Sequence, residues 1–144
     1  GGWSQVAKTL SSPDGQVLGL DLLPIDPMDG IKILKGDIND LEIQSEIKEY
    51  FNEKVDIILS DMAPNTTGHS QTDHLRIINL AEIAVSFAET FLKRNGFFVC
   101  KVFQGGAQGT LLDFMKNSIK DIKYMKPPAS RKESSETYLL GVKK

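Results

Sequence analysis

A doubly wound α/β fold, meaning a mainly parallel sheet with helices on both faces, is predicted by three features of this sequence. Short β-branched apolar runs alternate with longer amphipathic stretches, the pattern of strands joined by crossover helices. Several of those runs stop at an aspartate or a proline-containing turn, as at Asp37 and Asp61. The last two apolar runs are separated only by the polar stretch Pro127–Ser135, and a hairpin-like return there makes the final strand antiparallel.

Gln16–Leu23 reads as a strand closed by Pro24, and Ile31–Gly36 as a second that ends at Asp37. Leu41–Glu53 is polar except at Ile43, Ile47 and Phe51, a spacing of four that predicts a helix. Val55–Asp61, with the apolar run Ile57–Leu59 at its centre, is expected to be a strand buried on both faces. Thr72–Lys93 carries Leu75, Ile78, Ile83, Phe87 and Phe91 along one stripe, with Asn95-Gly96 as its stop. Phe97–Phe103 predicts a strand, Gln108–Ile119 a helix, Ile122–Met125 a short strand and Thr137–Val142 the last strand. The chain opens on Gly1-Gly2 followed directly by a helix-like segment, Ser4–Leu10. In a doubly wound sheet such a glycine loop follows the first, central strand. The first strand and the N-terminal region are therefore expected to be absent from this sequence.

With 144 residues, 40% of them hydrophobic, the chain can bury one core. Residues 1–144, without repeat or linker, read as one domain. No apolar run approaches the ~20 residues of a membrane span, and Gly1–Gln5 has none of the basic and apolar regions of a secretory signal. A cytoplasmic protein is expected. The single cysteine, Cys100, lies in an apolar run and reads as a core residue of a reduced compartment. Residues 1–92 hold 6 Lys/Arg against 15 Asp/Glu, while residues 93–144 hold 11 against 4. That asymmetry suits a domain presenting one basic surface to a polyanion, although helix surfaces can differ this much without one.

In open α/β sheets ligands bind beyond the carboxyl ends of the strands. Asp21 sits near such an end, where a carboxylate can accept both hydroxyls of a ribose or simply close a turn. Asp37 can face an adenine amino group or be a solvated turn residue, and Gly1-Gly2 can admit a ligand to the backbone or only form a turn. Asp61 ends an apolar strand and enters Met62-Ala63-Pro64-Asn65, which cannot continue it. Lys101 lies among Phe97, Phe98, Val99, Cys100, Val102 and Phe103. An amine in such company is costly to bury unless it is paired or functional. If the last strand runs antiparallel, Glu136 at its start reaches the same rim, and Asp61, Lys101 and Glu136 converge. His69 and His74 lack a third ligand or a cysteine partner, so no metal is expected.

Taken in order, Gly-Gly-Trp-Ser-Gln (1–5), Asp-Leu-Leu-Pro (21–24), Gly-Asp (36–37), Ser-Asp-Met-Ala-Pro-Asn (60–65), Lys-Val-Phe-Gln-Gly (101–105) and Ser-Arg-Lys-Glu-Ser-Ser-Glu-Thr-Tyr (130–138) resemble the FtsJ/RrmJ family. The family methylates ribose 2′-hydroxyls of large-subunit ribosomal RNA. The resemblance implies a Rossmann-like methyltransferase fold with a seven-stranded sheet whose last strand is antiparallel. It implies that Gly1, Trp3, Asp21, Asp37 and Asp61 surround S-adenosylmethionine. It also implies a lysine–aspartate–lysine–glutamate tetrad whose last three members are Asp61, Lys101 and Glu136, the first lysine falling upstream of the glycine loop.

On this reading Lys101 removes the hydroxyl proton, Asp61 orients Lys101, and Glu136 helps hold the hydroxyl or the lysine. Thr66–Asp73 reads as a cover near the cofactor. RNA contacts are expected from the basic last part, chiefly Lys126, Arg131 and Lys132, with Lys116, Lys120 and Lys123 beside them. The implied partner is ribosomal RNA, within the large subunit and with a uridine as the modified nucleoside, and the protein is expected to act as a monomer. Rival readings are a 2′-O-methyltransferase of transfer RNA or an mRNA cap, a nicotinamide dehydrogenase, and a catalytically silent RNA-binding module. Gly1-Gly2-Trp3 does not continue as the Gly-x-Gly-x-x-Gly that a dinucleotide site requires.

Overall fold

The computed structural model describes residues 15–61, 70–103, 109–126 and 136–144, with the backbone alone for 70–74 and 103. The chain divides into two compact units, Gly1–Glu53 and Lys54–Lys144. Gly1, Trp3, the Ser4–Leu10 segment, Met62–His69, Arg131 and Lys132 lie outside the described residues.

In the first unit, β1 (Val17–Asp21) and β2 (Ile31–Lys35) pair in parallel from Val17↔Ile31 to Asp21↔Lys35. The Gly36 N–H donates to the Asp21 carbonyl at 2.9 Å, which extends the pairing and holds Asp21 and Asp37 at the same end. Helix α1 (Leu41–Phe51) starts where Asp40 Oδ1 accepts the Glu42 N–H at 3.0 Å. It stops at Asn52, whose left-handed φ of 60° lets its N–H return to the Lys48 carbonyl. Of its predicted stripe, Ile47 is the fully buried member.

In the second unit, the strand order is β3 (Val55–Ser60), β4 (Leu92–Phe103), β6 (Glu136–Lys143), β5 (Ile119–Met125). β3 and β4 are parallel, and β6 runs antiparallel to both of its neighbours, β4 and β5. Helices α2 (Ser70–Phe91) and α3 (Gly109–Met115) supply the core with Ile78, Ala81, Val85, Ala88, Leu111 and Met115. Phe98, Cys100, Val102 and Leu139 meet them from the sheet. The expected stripe on α2 is only partly right. Leu75 is exposed, while alanines at 81, 84 and 88 face the core and let the helix lie close to the sheet.

The structure differs from the sequence reading in several places. β3 is not buried on both faces: Ile57 and Leu59 are 55% and 44% exposed, while α2 packs on its other side. The long helix stops at Phe91, since Leu92 already pairs with Val55. The Asn95-Gly96 stop becomes an irregularity in β4, with Asn95 at φ 68° and a Gly96 position where a Cβ would come within 2.8 Å of the Asp56 carbonyl. The helix expected to reach Ile119 ends at Met115 instead, with the Ser118 N–H closing on the Met115 carbonyl. Ile119 then turns into β5 and is buried at 1% exposure. Finally, α2 begins at Ser70, two residues before the expected Thr72, so the end of the Thr66–Asp73 segment read as a cover is helical. Among the described residues no helix is long and apolar enough to cross a membrane.

Gly141 pairs with Phe98 on β4, and a Cβ there would collide with Ile119 Cγ2 and approach the Lys120 carbonyl to 3.2 Å. Because Cγ2 is attached at the branch of a buried isoleucine, it cannot swing aside. Gly141→Ala should cost about 1–3 kcal/mol, read as a lower melting temperature. An unchanged melt would mean that β5 does not seat against β6 in this register.

Candidate active site

Alternation along β4 decides where Lys101 goes. Phe98, Cys100 and Val102 are fully buried against α2 and α3, so the pleat turns Phe97, Val99 and Lys101 to the opposite face. The apolar neighbours that made this lysine conspicuous in the sequence are therefore not its surroundings. Its companions come from adjacent strands. Asp61 follows directly on Ser60, which pairs with Cys100, and Tyr138 on β6 pairs with Lys101 itself.

Lys101 Nζ lies 3.0 Å from Asp61 Oδ1 and 3.7 Å from Glu136 Oε1. Its side chain is 11% exposed, against 41% and 44% for the two carboxylates. The three residues predicted to converge do so, at the rim where β3 and β4 end and β6 begins. Burial pushes the Lys101 amine down, but the Asp61 hydrogen bond and the charges of Asp61 and Glu136 outweigh it and hold the group above the ordinary lysine value. The resting amine is an ammonium ion. Cys100, one residue away, faces the core, and burial pushes its thiol up to about 12. It is a packing residue, as expected.

Tyr138 belongs to this cluster and was missed in the sequence. Its hydroxyl donates to Asp61 Oδ1 at 3.5 Å, and burial followed by the Asp61 charge raises its pKa. The signal available was its place two residues after Glu136, which puts both on one face of a strand. Lys126 is half-buried, and its Nζ donates to the Glu136 carbonyl at 3.1 Å. The Thr137 hydroxyl donates to the Met125 carbonyl at 3.0 Å, so the β5–β6 junction is tied just where β6 delivers Glu136.

In the first unit Asp21 Oδ1 accepts the Leu23 N–H at 3.1 Å, and Asp37 Oδ1 accepts the Asn39 N–H at 2.9 Å. Each carboxylate is thus oriented by its own turn at a strand end, with its second oxygen available as an acceptor. Among the described residues no group of three or more His, Cys, Asp or Glu side chains is arranged to hold a metal.

Because the Lys101 pKa is raised on folding, stability due to its pairing is complete below the ordinary lysine value of about 10.4 and is lost as pH rises through the folded value. The difference in unfolding free energy between wild type and Lys101→Met should stay level from about pH 7 to 9 and shift only above that range. Denaturant titrations across pH test this, and a difference unchanged through pH 11 would show the amine to be unpaired.

The sequence matches the FtsJ-like methyltransferase family along residues 1–144. It is 49% identical over 141 residues to the ribosomal RNA large subunit methyltransferase E of Gluconobacter oxydans, covering 98% of this chain and 52% of that protein. It is equally similar to the enzyme of that name from Acidiphilium cryptum, of which it covers 62%. The chain thus spans between half and two thirds of the length of these relatives. Its fold resembles a chain from Plasmodium falciparum named as a ribosomal RNA methyltransferase, with 25% identity, a TM-score of 0.85 and coverage of 99% of this chain and 80% of that one. It also resembles the fold of Aeropyrum pernix fibrillarin, solved with S-adenosyl-L-methionine, at 16% identity and a TM-score of 0.61 over 91% of this chain and 57% of that one. By the match along its whole length, this chain belongs to the FtsJ-like methyltransferase family.

Proposed function

We propose that this chain, read as a single methyltransferase domain, moves a methyl group from S-adenosylmethionine to a ribose 2′-hydroxyl of large-subunit ribosomal RNA. By the family resemblance the nucleoside is a uridine, and the protein acts as a monomer without a metal. The observation that carries this reading is the near-buried Lys101 ammonium held by Asp61 and Glu136 at the strand-end rim. The family match and the names of the close relatives support the substrate class.

The acceptors present fit the cofactor. Asp21 and Asp37, each pre-oriented by a backbone N–H, offer the acceptors that a ribose diol and an exocyclic amine require. Bound S-adenosylmethionine supplies a methyl group already activated by its sulfonium sulfur. What is left to the protein is alignment of the acceptor and disposal of one proton. Lys101, once it has lost its own proton to solvent, would take the proton of the attacking hydroxyl on Nζ. Asp61 fixes the direction of the amine, and Glu136 helps hold either the amine or the hydroxyl. Since Asp61 and Glu136 keep the resting amine protonated, the rate should rise about tenfold per pH unit below its pKa.

Lys101→Ala should abolish transfer of tritiated methyl groups to ribosomal particles while calorimetry shows cofactor affinity nearly unchanged. Transfer at the wild-type rate by that variant, or a wild-type rate independent of pH between 7 and 9, removes Lys101 as the base.

Exposed lysines on and after β5 supply phosphate contacts for the RNA. Lys123 pairs with Leu140 on β6, on the face that carries Tyr138, and is exposed. Arg131 and Lys132, outside the described residues, are proposed to add phosphate contacts of their own. The half-buried Lys126 contributes by holding the Glu136 carbonyl as well as by its charge. Lys123→Ala should reduce the slope of log affinity against log salt by about 0.7–0.9 without changing which RNA is preferred. A slope equal to that of the wild type would take Lys123 out of the interface.

A further inference from the structure

Two donors converge on one oxygen of Asp61. Lys101 Nζ stands 3.0 Å from Oδ1, and the Tyr138 hydroxyl stands 3.5 Å from the same atom. The sheet explains how. Tyr138 is paired with Lys101 across the β4–β6 ladder, and Asp61 lies just beyond the last β3–β4 pair, Ser60↔Cys100. The phenol therefore reaches over β4, past the lysine, to the carboxylate on its far side.

The two contacts are unequal. At 3.0 Å the lysine is fully engaged, whereas 3.5 Å is the outer limit of a hydrogen bond and contributes little at rest. A contact at this limit can tighten when substrate binds. The phenol is suited to wait. Burial and the neighbouring Asp61 charge raise its pKa, so it remains a donor throughout the range in which the site works. The carboxylate it faces is 41% exposed, so water can solvate it when its main donor turns away, but only the phenol offers a donor fixed in direction by the sheet.

Resting on the function proposed above, we propose that Tyr138 is a positioning residue: its hydroxyl closes on Asp61 Oδ1 as Lys101 turns from that oxygen toward the incoming ribose hydroxyl. The carboxylate then stays satisfied and in place, and the amine is released to the substrate without stranding its counter-charge. No bond to substrate is assigned to Tyr138. It acts on Asp61, and through Asp61 on the geometry of the amine.

The test compares wild type, Tyr138→Phe and Tyr138→Ala in the protein carrying this sequence, with RNA varied in a methyl-transfer assay and cofactor affinity measured by calorimetry. The phenylalanine variant keeps the ring and removes only the hydroxyl. It should lower kcat about tenfold, the size of one lost hydrogen bond to a charged group. KM for RNA, cofactor affinity and melting temperature should stay at wild-type values. Tyr138→Ala should lose at least as much kcat. A phenylalanine variant with wild-type kcat overturns the proposal. So does one whose only change is a higher KM, since that would make the phenol a substrate contact. If the wild type itself transfers no methyl group under these conditions, the reading of function fails first, and the role of Tyr138 fails with it.

Discussion

An ammonium ion that is almost out of water has to be surrounded by opposite charge, and Lys101 imposes that requirement on the rest of its unit. Desolvation of a buried cation costs several kcal/mol, and a single ion pair in such a place roughly breaks even. Two carboxylates change the balance. Asp61 at 3.0 Å and Glu136 at 3.7 Å raise the lysine pKa despite its burial. Those partners sit 40 residues before and 35 residues after the lysine, so only a sheet with a fixed register can deliver them.

The register depends in turn on one reversal. β3 and β4 run in parallel and bring Asp61 and Lys101 to the same end. A further parallel strand beside β4 would present its last residues there. Because β6 is antiparallel, it presents its first, and Glu136 pairs across from Phe103. The β5–β6 junction is held by Lys126 to the Glu136 carbonyl and by Thr137 to the Met125 carbonyl. Part of the basic C-terminal charge is therefore structural. Lys126 anchors the strand that carries the acid, and Lys120 contacts Asn95 at 3.2 Å.

The face that carries Lys101 is not wholly polar. Phe97 is 59% exposed beside its partner Ile57, and Leu59 lies along the same strand. Apolar side chains thus adjoin the polar cluster on one surface, whereas the α2 and α3 side is a closed core. That contrast follows from the pleat: consecutive residues of β4 alternate between a dry interior and the face that holds the Lys101 cluster.

Much of this was legible in the residues themselves. Alternating apolar runs and amphipathic stretches identify the strands and helices, and the short polar return before Glu136 implies an antiparallel last strand. Asp61, Lys101 and Glu136 could be named because a charged residue at the end of an apolar strand, or within one, is costly unless it has a purpose. The failures share a cause. The alanines of α2, the exposed face of β3 and the capture of Ile119 by β5 depend on which neighbour lies opposite, and spacing along a chain does not carry that information. Tyr138 escaped for the same reason, since its partner is 77 positions away and one strand beyond its neighbour. The residue types alone determined which groups could do the chemistry. The folded sheet decided that the amine rests charged and which oxygen two donors share, because electrostatic energies depend on distance and burial in space, not on order along the chain.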